Sequence, residues 1–477
     1  MAGWVLGAWV LAGCAAGWSG PRRGQWVVHV DARALPGGDG SPERPFQSLA
    51  EAVAVPAAGE VEFQVASGDY PGAWALRPGQ RVVGRGAVLV HADSGCVVRA
   101  AGGGLENVLV QGGEVGLCVE GEVQLRGVTF SGQREAALRV VAAGALLAGS
   151  VQLEATVPDI LGMEVLPGAR ARLDEARFDG PFRRAVSAQG AELEVSRTAF
   201  HDARTAVQAV GGHARLRELY ARGGHGPAIY LGQARAEVEG VKTEGHEFGL
   251  LVGAGSRVTV RGLEGHGAER AGMAFDHAVG ELEDVVVWDA GNLGALQLTD
   301  SRVSLSRADL KGASFAGVQV VGGEAMLRQV RVRHVQRESG DGGDGLVLHR
   351  ARVALEEVSV EGAEGSALVA GSGAQVEVGT FKASFVQHAG VFASGGASVS
   401  IRSLQESGLG EVAIAAVEGA QVRVQSLDAK DAAATAWADC PAGSRVCVEA
   451  AGDGASAGIS PGPCVQVGTR DKPAVCR

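Results

Sequence analysis

The sequence predicts an all-β fold: one right-handed parallel β-helix of about 15–16 coils, with an N-terminal helical cap and a cysteine-rich C-terminal cap. Three observations carry that expectation: a phrase recurring at near-constant spacing, 74 glycines in 477 residues, and an aromatic share of only 5%. From Leu173 onward an aliphatic residue, two polar or small residues and usually a second apolar one recur, as in "LDEARFDG", "VEGVKTEG" at Val238 and "VQSLDAKD" at Val424. Successive anchors lie 22, 21, 22, 22, 22, 23, 22, 28, 23, 23 and 23 residues apart. Copies at Leu105 and Leu125 keep the period, and residues 140–172 keep it poorly. At one strand spacing per coil, the rod is on the order of 70–75 Å long.

Each unit carries a further apolar run after a glycine-marked turn, such as "AIYLG" (228–232) and "GVQVV" (317–321). Two or three short strands per unit leave no room for a long helix. A leucine-rich repeat would show a fixed Asn or Cys in a longer phrase, and none is present. The residue after each anchor reads Arg217, Glu239, Arg261, Glu283, Ser306, Arg328, Glu356, Gly379, Arg402. If the anchor points inward its neighbour points outward, so opposite charges stack coil on coil. Each solvated pair contributes only about 0.2–1 kcal/mol, but the series fixes register.

Residues 27–76 form the expected N-terminal cap and 77–438 the helix body. Within the cap, Gly38-Asp39-Gly40, Pro45-Phe46 and Gly68-Asp69-Tyr70 flank a short helix at 48–54, and Ser48 with Glu51 has capping-box spacing. This order resembles the N-terminal motif of pectin-lyase-like β-helix proteins. The resemblance covers most of the chain from about residue 27 and implies fold far better than function.

At the start of the chain an apolar run (3–13) ends in Leu11-Ala12-Gly13-Cys14. These four positions resemble the lipobox of bacterial lipoprotein signal peptides, although no Lys or Arg precedes the run. The resemblance implies removal of residues 1–13, lipidation of Cys14, a tether over 14–26, and a place in the bacterial cell envelope, periplasmic or at the outer surface. Six cysteines remain, as suits an oxidising compartment. Cys96 and Cys118 lie about one coil apart and can bond if their side chains face the same way. Cys440, Cys447, Cys464 and Cys476 fall within 439–477, match no zinc spacing, and allow three disulfide connectivities.

The chemistry is sparse. A net charge of −11, interspersed rather than blocked, argues against nucleic acid as partner. "GGHG" (223–226) and "EGHG" (264–267) resemble the histidine motif of polygalacturonases. Those enzymes also need carboxylates flanking the scissile bond, and no Asn-Thr-Asp, adjacent Asp-Asp or Arg-Ile-Lys occurs here. "ESGDGGDG" (338–345) resembles one unit of a calcium repeat without tandem copies, and reads as a loop bulging from the 28-residue unit. No catalytic residue, metal ligand or cofactor is assigned. The best small binding cluster comprises His225, His246, His266, Tyr220 and Tyr230, with the histidines at one corner of consecutive coils but in different columns. The expected role is a non-enzymatic envelope lipoprotein, membrane-anchored through its lipid, that presents a rigid face to a polysaccharide or an envelope protein. The alternative is a carbohydrate-active enzyme, a lyase or epimerase.

Overall fold

The structure, a computed structural model, describes residues 26–56, 59–338, 341–430, 434–452, 464–469 and 471–474. One repeat shows why the chain coils. In strand Val279–Trp288, Leu282, Val285 and Val287 are buried whereas Glu281, Asp284 and Trp288 are exposed. The alternation slips by one residue at Asp284, which takes a left-handed φ of 55° and bends the strand into two. The same left-handed residue recurs at Asn107, Glu175, Arg197, Glu218, Arg307, Gln329 and Glu357, with glycine at 127, 240 and 262. A non-glycine residue there costs roughly 1 kcal/mol. Stacking offsets the cost: Arg197 N–H donates to the Arg217 carbonyl at 3.1 Å, and Glu218 N–H to that of Glu239 at 2.8 Å, one coil away. The recurring phrase of the sequence is therefore an inward anchor, an outward neighbour, a left-handed corner and a second inward residue.

Each coil contributes to three sheets. Sheet A holds strands such as Ala271–Asp276 and Gly294–Thr299. Sheet B holds residues 279–283 and sheet C residues 285–288, with their equivalents in other coils. The ladders between coils are parallel, and the chain forms a solenoid of about 18 turns. This exceeds the expected 15–16 because residues 140–172, whose phrase is weak, still form regular strands from Ala145–Gly149 to Arg170–Asp174. Strands Arg445–Ala451 and Val465–Thr469 also extend sheet B past Val424. Within the 28-residue unit, Arg337–Glu338 and Asp341–Gly342 pair antiparallel outside the solenoid ladder.

The interior is one continuous apolar column, with Phe178 and Phe200 stacked at 5.0 Å between ring centres. Its cross-section is set by a second column at the start of sheet A, where the chain passes close to sheet C of the next coil. The residues there are small throughout: Gly162, Ala185, Ala228, Gly249, Gly272, Ala295, Gly317, Gly345, Ala367 and Gly390. A Cβ on Gly272 would lie 2.4 Å from Val287 Cγ1, and one on Gly317 2.2 Å from Val332 Cγ1.

The short helix runs Leu49–Ala54, with Ser48 Oγ accepting the Glu51 N–H at 3.1 Å, and it packs on the first strands through Leu49, Ala52 and Val53. Disulfides join Cys96 to Cys118 and Cys440 to Cys464; Cys476 lies outside the described residues. The expected charge column is present in register: Arg217–Glu239 and Arg261–Glu283 each pair at 3.5 Å and Arg328–Glu356 at 3.0 Å. No helix among the described residues is long and apolar enough to cross a membrane, and residues 1–25, with Cys14, lie outside them.

Overpacking the tight column should be measurable. Gly317→Ala is expected to destabilise the protein by about 1–3 kcal/mol in denaturant melts. Val332→Ala in the same chain should recover part of that loss; strictly additive costs would show that this contact does not limit the cross-section.

Candidate functional site

Stacking separates the five expected binding residues. Tyr220 and His266 lie on the outer face of sheet C, two coils apart. The Tyr220 hydroxyl donates to Glu244 Oε2 at 2.9 Å, and His201 meets its ring edge-on. That bond to Glu244 raises the phenol's pKa above its ordinary value. His266 sits in register between Glu244 and Trp288, edge-on to the indole, with Nε2 3.4 Å from Asp289 Oδ2. His225 is on the loop leading to sheet A, 92% exposed, with Nδ1 3.6 Å from Glu269 Oε1. Tyr230 is on the outer face of sheet A, between Gln208 and Leu251.

His246 points into the solenoid. It is 2% exposed, neither ring nitrogen has a hydrogen-bond partner, and burial holds its pKa down at about 4 against the weaker pull of Gly226 and Glu269. Room for the ring comes from its neighbours, since a Cβ on Gly224 would lie 2.9 Å from His246 Cε1. "GGHG", "EGHE" and "EGHG" thus mark a shared corner, with left-handed Gly223, Gly245 and Gly267, but set their histidines in three columns.

The three outer faces differ in chemistry. On sheets B and C most charges are tied across coils: Arg215–Glu237 at 3.5 Å, Arg302–Glu324 and Lys242–Glu264 at 2.8 Å, Arg222–Glu244 at 3.6 Å. Sheet A carries instead an uncharged seam along its axis. From Ser187 it runs Gln208, Tyr230, Leu251, Ala274, Gln297, Gln319, Val347, Val369, Phe392, Ala415 and Trp437, each in register with the next. Phe248, Ala271, Ala274, Leu251 and Leu293 form an apolar cluster on this outer side, separate from the interior.

One polar cluster borders the seam, at the base of the antiparallel insertion. Arg337 donates to the Glu364 carbonyl at 3.0 Å and to His388 Nε2 at 2.7 Å. A guanidinium only donates, so Nε2 accepts and the imidazole proton sits on Nδ1, which faces Glu411 Oε1 at 3.3 Å. Asp344 Oδ1 accepts the Ser366 N–H at 2.6 Å. Burial pushes the Asp344 carboxyl above the usual carboxylate range, despite that bond and the charge of Arg337. Asp344 was legible only as a loop acid, and nothing in the sequence joined it to His388, which lies 44 residues further on. Among the described residues no group of three or more His, Cys, Asp or Glu could hold a metal ion.

No protein-family model matches the chain, and no curated protein matches it. Several solved structures align with it at low identity. A GH136 lacto-N-biosidase from Eubacterium ramulus aligns at 9% identity over 70% of this chain and 68% of its own, with a TM-score of 0.31. A GH87 α-1,3-glucanase from Streptomyces thermodiastaticus aligns at 10% identity over 96% and 72%, TM-score 0.22. A mannuronan C-5 epimerase module from Azotobacter vinelandii aligns at 12% identity over 83% and 93%, TM-score 0.19. At these values no correspondence of residues follows.

The interior polar groups give opposite pH signatures. His246 titrates near 6.5 unfolded and near 4 folded, so its contribution is complete above about pH 6.5 and is lost as pH falls to 4. The loss is on the order of 3 kcal/mol, and His246→Met should flatten the acid limb of stability against pH. Glu406 is fully buried, with neither carboxylate oxygen bonded, and burial raises its pKa well above the ordinary value. Its neutral form is stable below the unfolded value, and stability falls as pH rises through the folded one. Glu406→Leu should therefore stabilise the protein at pH 8 by about 1–3 kcal/mol, seen as a higher melting temperature. A variant less stable than wild type at pH 8 would refute that reading.

Proposed function

We propose that the protein is a lipid-anchored envelope scaffold that binds an extended, mainly neutral glycan along the seam of sheet A. The uncharged seam carries this reading: it is long and linear, and it holds three amides and three rings among small and aliphatic residues. Gln208, Gln297 and Gln319 supply both donors and acceptors for sugar hydroxyls. Tyr230, Phe392 and Trp437, the last 44% exposed, supply apolar faces for sugar rings. Ion-paired faces suit such a ligand poorly, because each salt bridge must be broken or desolvated on contact.

A second reading, a carbohydrate-active enzyme, is favoured by Asp344. It is a carboxyl biased toward the protonated form at the edge of the same seam, which is what a general acid requires.

Both readings are separable in one experiment. The protein lacking residues 1–25 would be tested for retention on immobilised neutral and uronic-acid polysaccharides, and for release of reducing ends or unsaturated uronides. Scaffold function predicts retention without cleavage, reduced about tenfold or more by Trp437→Ala. Cleavage that Asp344→Asn abolishes, with retention intact, would make it an enzyme. Retention on neither class of polymer would leave the seam to a protein partner. The anchor is tested by fractionation: Cys14→Ser should release the protein or leave it unprocessed, and identical soluble behaviour of both forms would remove the lipid from the proposal.

A further inference from the structure

Sheet B pairs many of its cations with acids across coils, and at one place it sets two arginines in register instead. Within its outer columns Arg172 pairs with Glu194 at 3.8 Å, Arg215 with Glu237 at 3.5 Å and Arg302 with Glu324 at 2.8 Å, and Arg423 reaches diagonally to Glu449 at 2.6 Å. In the column nearest sheet A the order is instead His213, Arg235, Arg257, each in register with the next. Arg235 and Arg257 therefore stand directly opposite each other on adjacent strands, whose backbones run about 4.8 Å apart. Like charges directly opposite each other are destabilising. Among the described residues, neither Arg235 nor Arg257 has a carboxylate within ion-pairing distance. Other arginines on this sheet are followed by neutral residues, as Arg352 is by Gln375 and Arg423 by Cys447, so what sets this place apart is the direct opposition of two cations, which folding does not require.

We propose that Arg235 and Arg257 form a binding site for a tetrahedral oxyanion, the sulfate or phosphate ester of a polymeric glycan. Each guanidinium offers a planar fork of donors. A group with three or more oxygens can accept from two stacked forks together, where a carboxylate has only two oxygens to share. The column continues to the imidazole of His213 on one side and ends at Val279 on the other. The site is on a different face from the sheet A seam and takes a different ligand, so it stands or falls independently of the neutral-glycan reading. A chain of net charge −11 repels a polyanion at long range, which makes capture depend on these short contacts. Binding should then weaken steeply with salt.

The test uses the protein lacking residues 1–25, with dextran sulfate as probe, neutral dextran as control and inorganic sulfate as competitor, at about 50 mM and about 200 mM salt. Wild type should bind dextran sulfate but not dextran, and inorganic sulfate should compete. Arg235→Gln with Arg257→Gln should weaken binding about tenfold or more and lower the salt slope. Arg328→Gln, which breaks a paired arginine on the same sheet, should change neither. Thermal melts show whether each variant folds. Removing the like-charge stack should not lower the melting temperature, and dextran sulfate should raise it in wild type alone. Equal loss in Arg328→Gln, unchanged affinity in the double variant, or no binding by wild type would overturn the proposal.

Discussion

The closest approach in this molecule lies between the start of sheet A and sheet C of the next coil, and most of the fold depends on it. Glycine and alanine fill the positions given above, and at the glycines even a Cβ would crowd the inward side chain of sheet C, such as Phe178, Val287, Val332 or Val360. The narrow crossing forces the interior into a single file of residues. Each inward side chain therefore packs mainly on its counterparts one coil below and one above. The result is a solenoid whose stability is a sum of local and nearest-neighbour terms. The left-handed corners belong to the same constraint, since a one-residue bend leaves no loop to absorb a misfit.

This explains which features were legible in the sequence. A fold built by repetition writes its period into the chain many times, so anchors such as Leu216, Val238 and Val260 and the outward column from Arg217 to Glu356 were readable. Residues 140–172 hid their coils because the inward anchor there is Ala148, in register with Leu173, so the phrase before the left-handed Ser150 is "LAGSVQL" and carries no Leu or Val at the expected place. The binding residues were harder to read. A strand shows its faces with period two, so a shift of one residue turns a side chain around. His246 and His266 share the Gly-His phrase, yet one follows its left-handed glycine and the other precedes it. The first is therefore inside and the second outside. The Asp344–His388 cluster was invisible for another reason: two coils of stacking must be counted before the two residues come near each other.

The faces also divide the chemistry. Charges on sheets B and C satisfy one another across coils, a use that fixes register while adding little energy per pair. Sheet A, free of that pairing over most of its length, is left to amides, rings and aliphatic side chains. A ligand laid along it would displace water without breaking an ion pair, and the rigid ladder beneath would lose little further entropy on binding.

His246 and Glu406 show how much irregularity such a stack absorbs. Each is a polar side chain in a column that is otherwise apolar, and each sits among small neighbours: Gly224 beside the imidazole, and Gly390, Ala383 and Ala429 around the carboxyl. The volume is conserved although the polarity is not, so packing survives while solvation is lost. In a globular core, shared by every element, an unsatisfied acid would act on the whole domain. Here its cost falls on two interfaces between coils, and the rest of the stack does not feel it. Local tolerance of this kind lets a solenoid carry features its folding does not require, and it makes a break in the repeat, more than any motif, the place to look for function.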